Sequence, residues 1–236
     1  MQLQGLDWSR IIPIFFTQLF IAIVFFYLAY KVLKRHRTRI SIICSLIFIP
    51  IATAFIVNII YLFLRVNPAV YILYLFAIYL LLLAQIFILL FNLNLLKSKF
   101  EFTSKKQSIL FILYSIVFFL ILLFPNGIKI DETTDWRPLW NIYFSIILMI
   151  ISAICFVIPS TIFSIRIYKA FEDDLVKKKW GYYLLGYVGL AFTFYSLIFY
   201  NTISDPLIRT IASLLTLILV PSGVLMYLGI GRQLQK

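Results

Sequence analysis

The sequence predicts an all-α integral membrane protein, a bundle of seven transmembrane helices with its amino terminus outside and its carboxyl terminus in the cytoplasm. Three observations predict it. Of 236 residues, 63% are hydrophobic and 13% charged, with a mean hydropathy of +1.03, whereas a soluble domain is roughly 45–50% apolar and about 25% charged. The apolar residues gather into seven runs, at about 11–30, 40–64, 69–96, 108–124, 141–165, 181–200 and 208–230, most of them close to or above the roughly 20 residues a helix needs to cross a bilayer. The net charge of +12 falls entirely on one set of connecting segments. The whole chain, 1–236, then reads as one membrane domain, and no soluble catalytic domain fits in what remains.

The runs are helices rather than barrel strands, because barrel strands are about ten residues long and alternate in polarity. Backbone groups in hydrocarbon must also pair within their own segment. Run one follows Trp8-Ser9-Arg10, with no basic region before it and no small-residue cleavage site after it, and so reads as a span rather than a removable signal. It ends at Lys31, Lys34, Arg35, Arg37 and Arg39, a segment that also holds the only histidine, His36. Run three ends at Lys97, Lys99, Lys105 and Lys106; run five at Arg166, Lys169, Lys177, Lys178 and Lys179; run seven at Arg232 and Lys236. These segments carry 16 cations against Glu101, Glu172, Asp173 and Asp174, while the other segments hold five cations and five acids. Short basic loops stay in the cytoplasm, which fixes the expected orientation and explains the basic balance without nucleic acid. Lys177, Lys178 and Lys179 are the candidates to touch anionic headgroups or a cytosolic partner. Trp8, Trp136, Trp140 and Trp180 stand at span edges, where indoles act as interfacial anchors.

The shortest run, 108–124, is closed by Pro125-Asn126-Gly127, which opens the longest exterior loop. That loop mixes both charges with Trp136 and Trp140 and is long enough to fold over the mouth of a bundle, which makes Trp136 a candidate ligand contact. Between runs six and seven, Asp205 is placed as an N-cap with Pro206 at the first helical position. Arg209, four residues on, is able to pair back to Asp205.

Ionisable groups at bilayer depth mark membrane enzymes and pumps. Six of the runs contain none, and the seventh contains only Arg209 at its start. No metal set, no H-E-x-x-H, no intramembrane carboxylate pair and no lysine in run seven for a retinal linkage are present, so no enzyme, metal or cofactor is expected. Cys44 and Cys155 read as small apolar residues. The polar residues left inside the runs are neutral, and such groups hydrogen-bond between helices. Among them Gln18, Asn58 and Gln85, one on each of the first three helices, are candidates to converge on a ligand pocket. Asn92 and Asn94, near the end of run three, are candidates for an interfacial or partner-facing position. Pro50, Pro159 and Pro221 lie inside runs two, five and seven, where each removes a backbone bond and tends to kink its helix.

Seven helices with this orientation resemble, in topology alone, G-protein-coupled receptors and microbial rhodopsins, without an Asp-Arg-Tyr motif after run three or Asn-Pro-x-x-Tyr in run seven. The stretch from Trp180-Gly181 to Gln233-Leu234, with Tyr200-Asn201-Thr202, Asp205-Pro206, Arg209-Thr210, Ser222-Gly223 and Gly229-Ile230-Gly231, is similar to uncharacterised archaeal seven-helix membrane proteins and more distantly to membrane sensor modules of histidine kinases. The resemblance implies sensing, with output through a separate cytoplasmic partner. The expected function is therefore a receptor or sensor-like protein that binds a small apolar or lipid-like ligand. Two competing readings are a small-solute transporter with parallel three-helix repeats around the fourth span and a structural subunit of a membrane complex.

Overall fold

The computed structural model describes residues 8–35, 38–64, 66, 68–96, 103–203 and 205–230. His36, Arg37, Lys97, Lys99, Glu101, Gly231, Arg232 and Lys236 lie outside them. Seven helical segments follow one another: α1 (Trp8–Arg35), α2 (Arg39–Phe63), α3 (Ala69–Leu96), α4 (Ser104–Leu122), α5 (Ile142–Ala170), α6 (Asp174–Thr202) and α7, which runs from Pro206–Leu215 through a 3-10 turn at Thr216–Ile218 to Leu219–Ile230. The first six are long and apolar enough to cross a membrane, and the chain is a multi-pass integral membrane protein.

Five of these helices start where a side chain accepts an orphan backbone N–H. Thr38 accepts from Ser41, Thr103 from Lys106, Asn141 from Tyr143, Asp173 from Leu175, and Asp205 from Ile208. Pairwise contacts close α1, α2, α3, α5, α6 and α7 into a ring. The fourth helix lies outside the ring, on α3 through Phe111 against Phe87 and on α5 through Tyr114 and Phe118 against Phe156. Its outward face, including Ile109, Ile112, Leu113, Ile116, Phe119 and Leu120, is exposed, as expected of a helix facing lipid.

α6 and α7 make the closest approach. A Cβ on Gly186 would stand 2.4 Å from the Ser222 carbonyl oxygen, and one on Gly229 would stand 2.6 Å from the Tyr183 nitrogen. Small residues let two helix backbones meet so, and dispersion then holds them together without any hydrophobic drive in lipid.

Pro159 and Pro221 sit at breaks in regular helix. Pro159 follows a π turn at Ala153–Val157 and Pro221 follows the 3-10 turn. A proline has no N–H for the carbonyl four residues back, at Cys155 and Leu217, so the ladder is redrawn one turn earlier. Pro50 is buried in α2, which remains helical through it.

The loop between α4 and α5 is folded rather than loose. Ile128–Lys129 (β1) pairs antiparallel with Leu139–Trp140 (β2). Between them Asp131 and Thr134 cap a 3-10 turn reciprocally, followed by Asp135 and Trp136 at positive φ. The Thr133 hydroxyl, 2.6 Å from Asp131 Oδ1, is the main influence holding the Asp131 carboxyl below its ordinary range, with Lys129 and the Thr134 N–H assisting against partial desolvation.

Two placements differ from the interfacial positions expected for tryptophan. Trp140 and Trp180 are 2% and 1% exposed. Each indole N–H has a buried acceptor, Tyr74 Oη at 2.9 Å and the Ser164 carbonyl at 2.8 Å. A buried indole with a partner is more stable inside the bundle end than beside headgroups. Asn92 likewise departs from an interfacial position: it is fully buried, bonded to two neighbouring helices.

Candidate functional site

The bundle encloses a cavity of about 60 Å³ at the middle of its helices, lined from five of them, with room for roughly four water-sized spheres. Ile51 and Phe55 come from α2, Leu81, Ala84, Gln85 and Ile88 from α3, Phe156, Val157 and Ser160 from α5, Leu190, Ala191 and Thr193 among others from α6, and Leu219 from α7. Its level is set by the chain breaks. Ile51 adjoins Pro50, Ser160 adjoins Pro159, and Leu219 lies two residues before Pro221. Where a helix departs from α geometry its side chains no longer follow the regular ridge and its neighbours cannot interlock fully. The irregular turns of α5 and α7 thus leave the space.

Beside the cavity, reaching its lining at Tyr187 and Gln85, runs a ladder of hydrogen bonds among α3, α5 and α6. From the cationic end, Trp180 Nε1 donates to the Ser164 carbonyl, Tyr183 Oη to Asn92 Oδ1 at 2.8 Å, and Tyr187 Oη to the Val157 carbonyl at 2.9 Å. Asn92 Nδ2 donates in turn to the Ser160 carbonyl across to α5. Higher up, Ser152 Oγ donates to Gln85 Oε1 at 2.8 Å and Tyr195 Oη approaches the Met149 carbonyl at 3.4 Å. At about 100° per residue, Trp180, Tyr183, Tyr187 and Tyr195 fall on one face of α6. On α5 the π turn takes up one extra residue, so the eight-residue step from Ser152 to Ser160 behaves as about seven and both serines point to that face. Interhelical bonds of this kind contribute about 0.6–2 kcal/mol each.

The remaining polar groups of the cavity wall are hydroxyls. Thr193 Oγ1 is used by the Gly189 carbonyl. The Ser160 hydroxyl, in a residue 1% exposed, has no acceptor among the described residues. The Val157 carbonyl, the nearest local acceptor, already receives Thr161 Oγ1 at 2.7 Å and Tyr187 Oη. An unsatisfied buried hydroxyl costs about 1–3 kcal/mol. No charged side chain lines the cavity, and no cluster of metal-binding side chains occurs among the described residues.

Of the residues singled out from sequence, Gln85 lines the cavity, whereas Gln18 and Asn58 do not. Gln18 is half-buried on α1 with its Oε1 enclosed and without a partner among the described residues, and Asn58 is half-buried on α2. The three are not brought together, because α1 has no part in the cavity wall. Trp136 is partly buried in the hairpin loop between α4 and α5, and Lys177, Lys178 and Lys179 stand in the first turns of α6. Arg209 turns to carbonyls, donating from Nε to Ile203 at 2.7 Å and from Nη2 to Pro138 at 3.1 Å. Asp205 serves the Ile208 N–H as a cap. Ser160, Tyr183 and Tyr187 were not among the sequence candidates. The signal that carries them is a stripe of tyrosines at helical spacing on α6, facing serines on α5.

Comparison with protein-family models, with curated proteins and with solved structures found no match.

Proposed function

We propose that this multi-pass membrane protein is a non-enzymatic receptor or sensor whose ligand, a small apolar molecule, occupies the mid-bundle cavity. The observation that carries the reading is the coincidence of that apolar cavity with Pro50, Pro159 and Pro221. A ligand that fills it touches the π turn of α5 through Phe156 and Val157, and α7 through Leu219, the residue that follows its 3-10 turn. Ligand binding shifts a conformational equilibrium only through differential contacts, and here those contacts fall on one irregular turn and beside the other. In this reading the cationic end faces the cytoplasm. Lys177, Lys178 and Lys179 lie on anionic headgroups there, and a separate cytosolic partner reads the ends of α5 and α6.

The test uses the full chain in detergent micelles. Methylcyclohexane should raise the thermal midpoint of the wild type, and Ala191→Phe, which fills the cavity with protein, should abolish the rise. A wild type indifferent to every small apolar probe sinks the reading.

One observation favours transport as a second reading: α4 lies outside the ring, which leaves α1–α3 and α5–α7 as two three-helix sets that both line the cavity. Alternating access would make a cysteine at Ser160, in a Cys44→Ala, Cys155→Ala background, react with an impermeant thiol reagent from each face in turn. A receptor leaves it reactive from one face at most.

A further inference from the structure

The spare polar groups of the cavity wall are Gln85 Nε2, which can only donate a hydrogen bond, and the Ser160 hydroxyl, which can donate as well as accept, so an acceptor on the ligand suits both. Gln85 lies past the middle of α3 with its Oε1 engaged by Ser152 Oγ, which orients the amide and leaves its Nε2 as the remaining group. Among the described residues nothing is bonded to that nitrogen, and Gln85, unlike Ser160, is not fully enclosed. On α5, Ser160 Oγ also lines the cavity and has no partner among the described residues. The other two polar groups of the wall, Tyr187 Oη and Thr193 Oγ1, already donate to backbone carbonyls. No acid and no base stands in the wall, so a charged ligand would lose its hydration without a counter-ion.

Resting on the cavity reading above, we propose that the cavity selects an uncharged apolar molecule bearing one carbonyl-type oxygen, which accepts from Gln85 Nε2 with Ser160 as the second donor. A pure hydrocarbon fits the apolar lining but leaves both donors unpaired. A carboxylate offers an acceptor at the expense of a buried charge. A ketone satisfies the donors and remains neutral.

The experiment compares matched probes on the full chain in micelles: methylcyclohexane, cyclohexanone and cyclohexanecarboxylate, each titrated against thermal unfolding. The ratio of half-saturating concentrations, ketone to hydrocarbon, is compared between wild type and Gln85→Leu, so that partitioning into detergent cancels. The expected result is a ratio that rises roughly 3- to 10-fold in Gln85→Leu, the equivalent of one interhelical-strength hydrogen bond, with the carboxylate inactive on both proteins. Ser160→Ala should shift the ratio in the same direction while melting no lower than wild type without probe, because it removes an unpaired hydroxyl. The infrared carbonyl stretch of ¹³C-labelled cyclohexanone should move to lower frequency with wild type and not with Gln85→Leu.

Both neutral probes acting equally on wild type and variants, with no infrared shift, overturns the donor assignment and leaves the cavity reading standing. Preference for the carboxylate also overturns it. Silence of all three probes on wild type overturns the cavity reading and this inference together.

Discussion

Gly186 has Ser222 and Met226 of α7 so near its α-carbon that a methyl group there would meet the Ser222 carbonyl oxygen at 2.4 Å, whereas a methyl on Gly181 would meet nothing within 4 Å. Gly186→Ala must therefore push α6 from α7 and is expected to cost about 1–3 kcal/mol, the usual scale of overpacking. Gly181→Ala on the same helix should be neutral or stabilising by up to about 1 kcal/mol, since it only restricts the unfolded chain. Thermal unfolding of the two variants in one detergent checks the pair, and equal melting would refute the close seam. The same scale shows what a single sequence hides. Gln18, Asn58 and Gln85 are alike as letters, neutral polar residues in apolar runs, and only the rotation of each helix decides that Gln85 alone reaches the cavity. Trp140 and Trp180 stand at the ends of apolar runs as anchors do, but their partners, Tyr74 and Ser164, come from another helix or a distant turn. An indole N–H with a buried acceptor cannot be read from position along a run.

Hydropathy located the elements well because lipid imposes one length and one polarity on every span. The run 69–96 coincides with α3, and the others differ by a few residues at their ends, where the charged turns Asp174–Lys179 and Arg166–Ala170 continue the helices beyond the apolar stretch. The breaks inside α5 and α7 were legible as prolines but not as a π turn in one and a 3-10 turn in the other, since the missing N–H is common to both. Pro221→Ala restores the donor toward Leu217 and should convert the 3-10 turn to regular helix. Slower amide exchange at 217–221 and a higher thermal midpoint are the expected readings. The hairpin between α4 and α5, seen in sequence only as a long loop able to cover the bundle mouth, depends on a carboxylate at its tip. The Asp131 carboxyl is held below its ordinary value, so the stability it contributes is present above the ordinary carboxylate range and is lost as pH falls through its lowered value. Exchange of the Thr134 and Trp136 amides should accelerate on acidification below the ordinary range. In Asp131→Asn it should show no such acid limb.

For the whole molecule, the positive-inside argument places sixteen cations on one side, and the ring places the ends of α1, α3 and α5 with the starts of α2, α4 and α6 at the corresponding end of the bundle. Cysteines introduced at Lys178 and Thr133, both exposed, in a background lacking Cys44 and Cys155, should react with an impermeant reagent from opposite faces of intact cells. Thr133→Cys should be labelled from outside and Lys178→Cys only after permeabilisation. The inverse pattern would reverse the orientation and, with it, the face on which a partner is sought. The carbonyl groups that receive Arg209 have one more implication, for the order in which the chain is built. A guanidinium entering a bilayer core with a helix costs about 2.5–3.5 kcal/mol on the insertion scale, and α7, broken after its tenth residue, is not among the six long spans. Its arginine is received by Pro138, in the hairpin between α4 and α5. That hairpin leaves the ribosome about seventy residues before Arg209 does, so the carbonyl that receives the arginine is already synthesised when the last helix emerges.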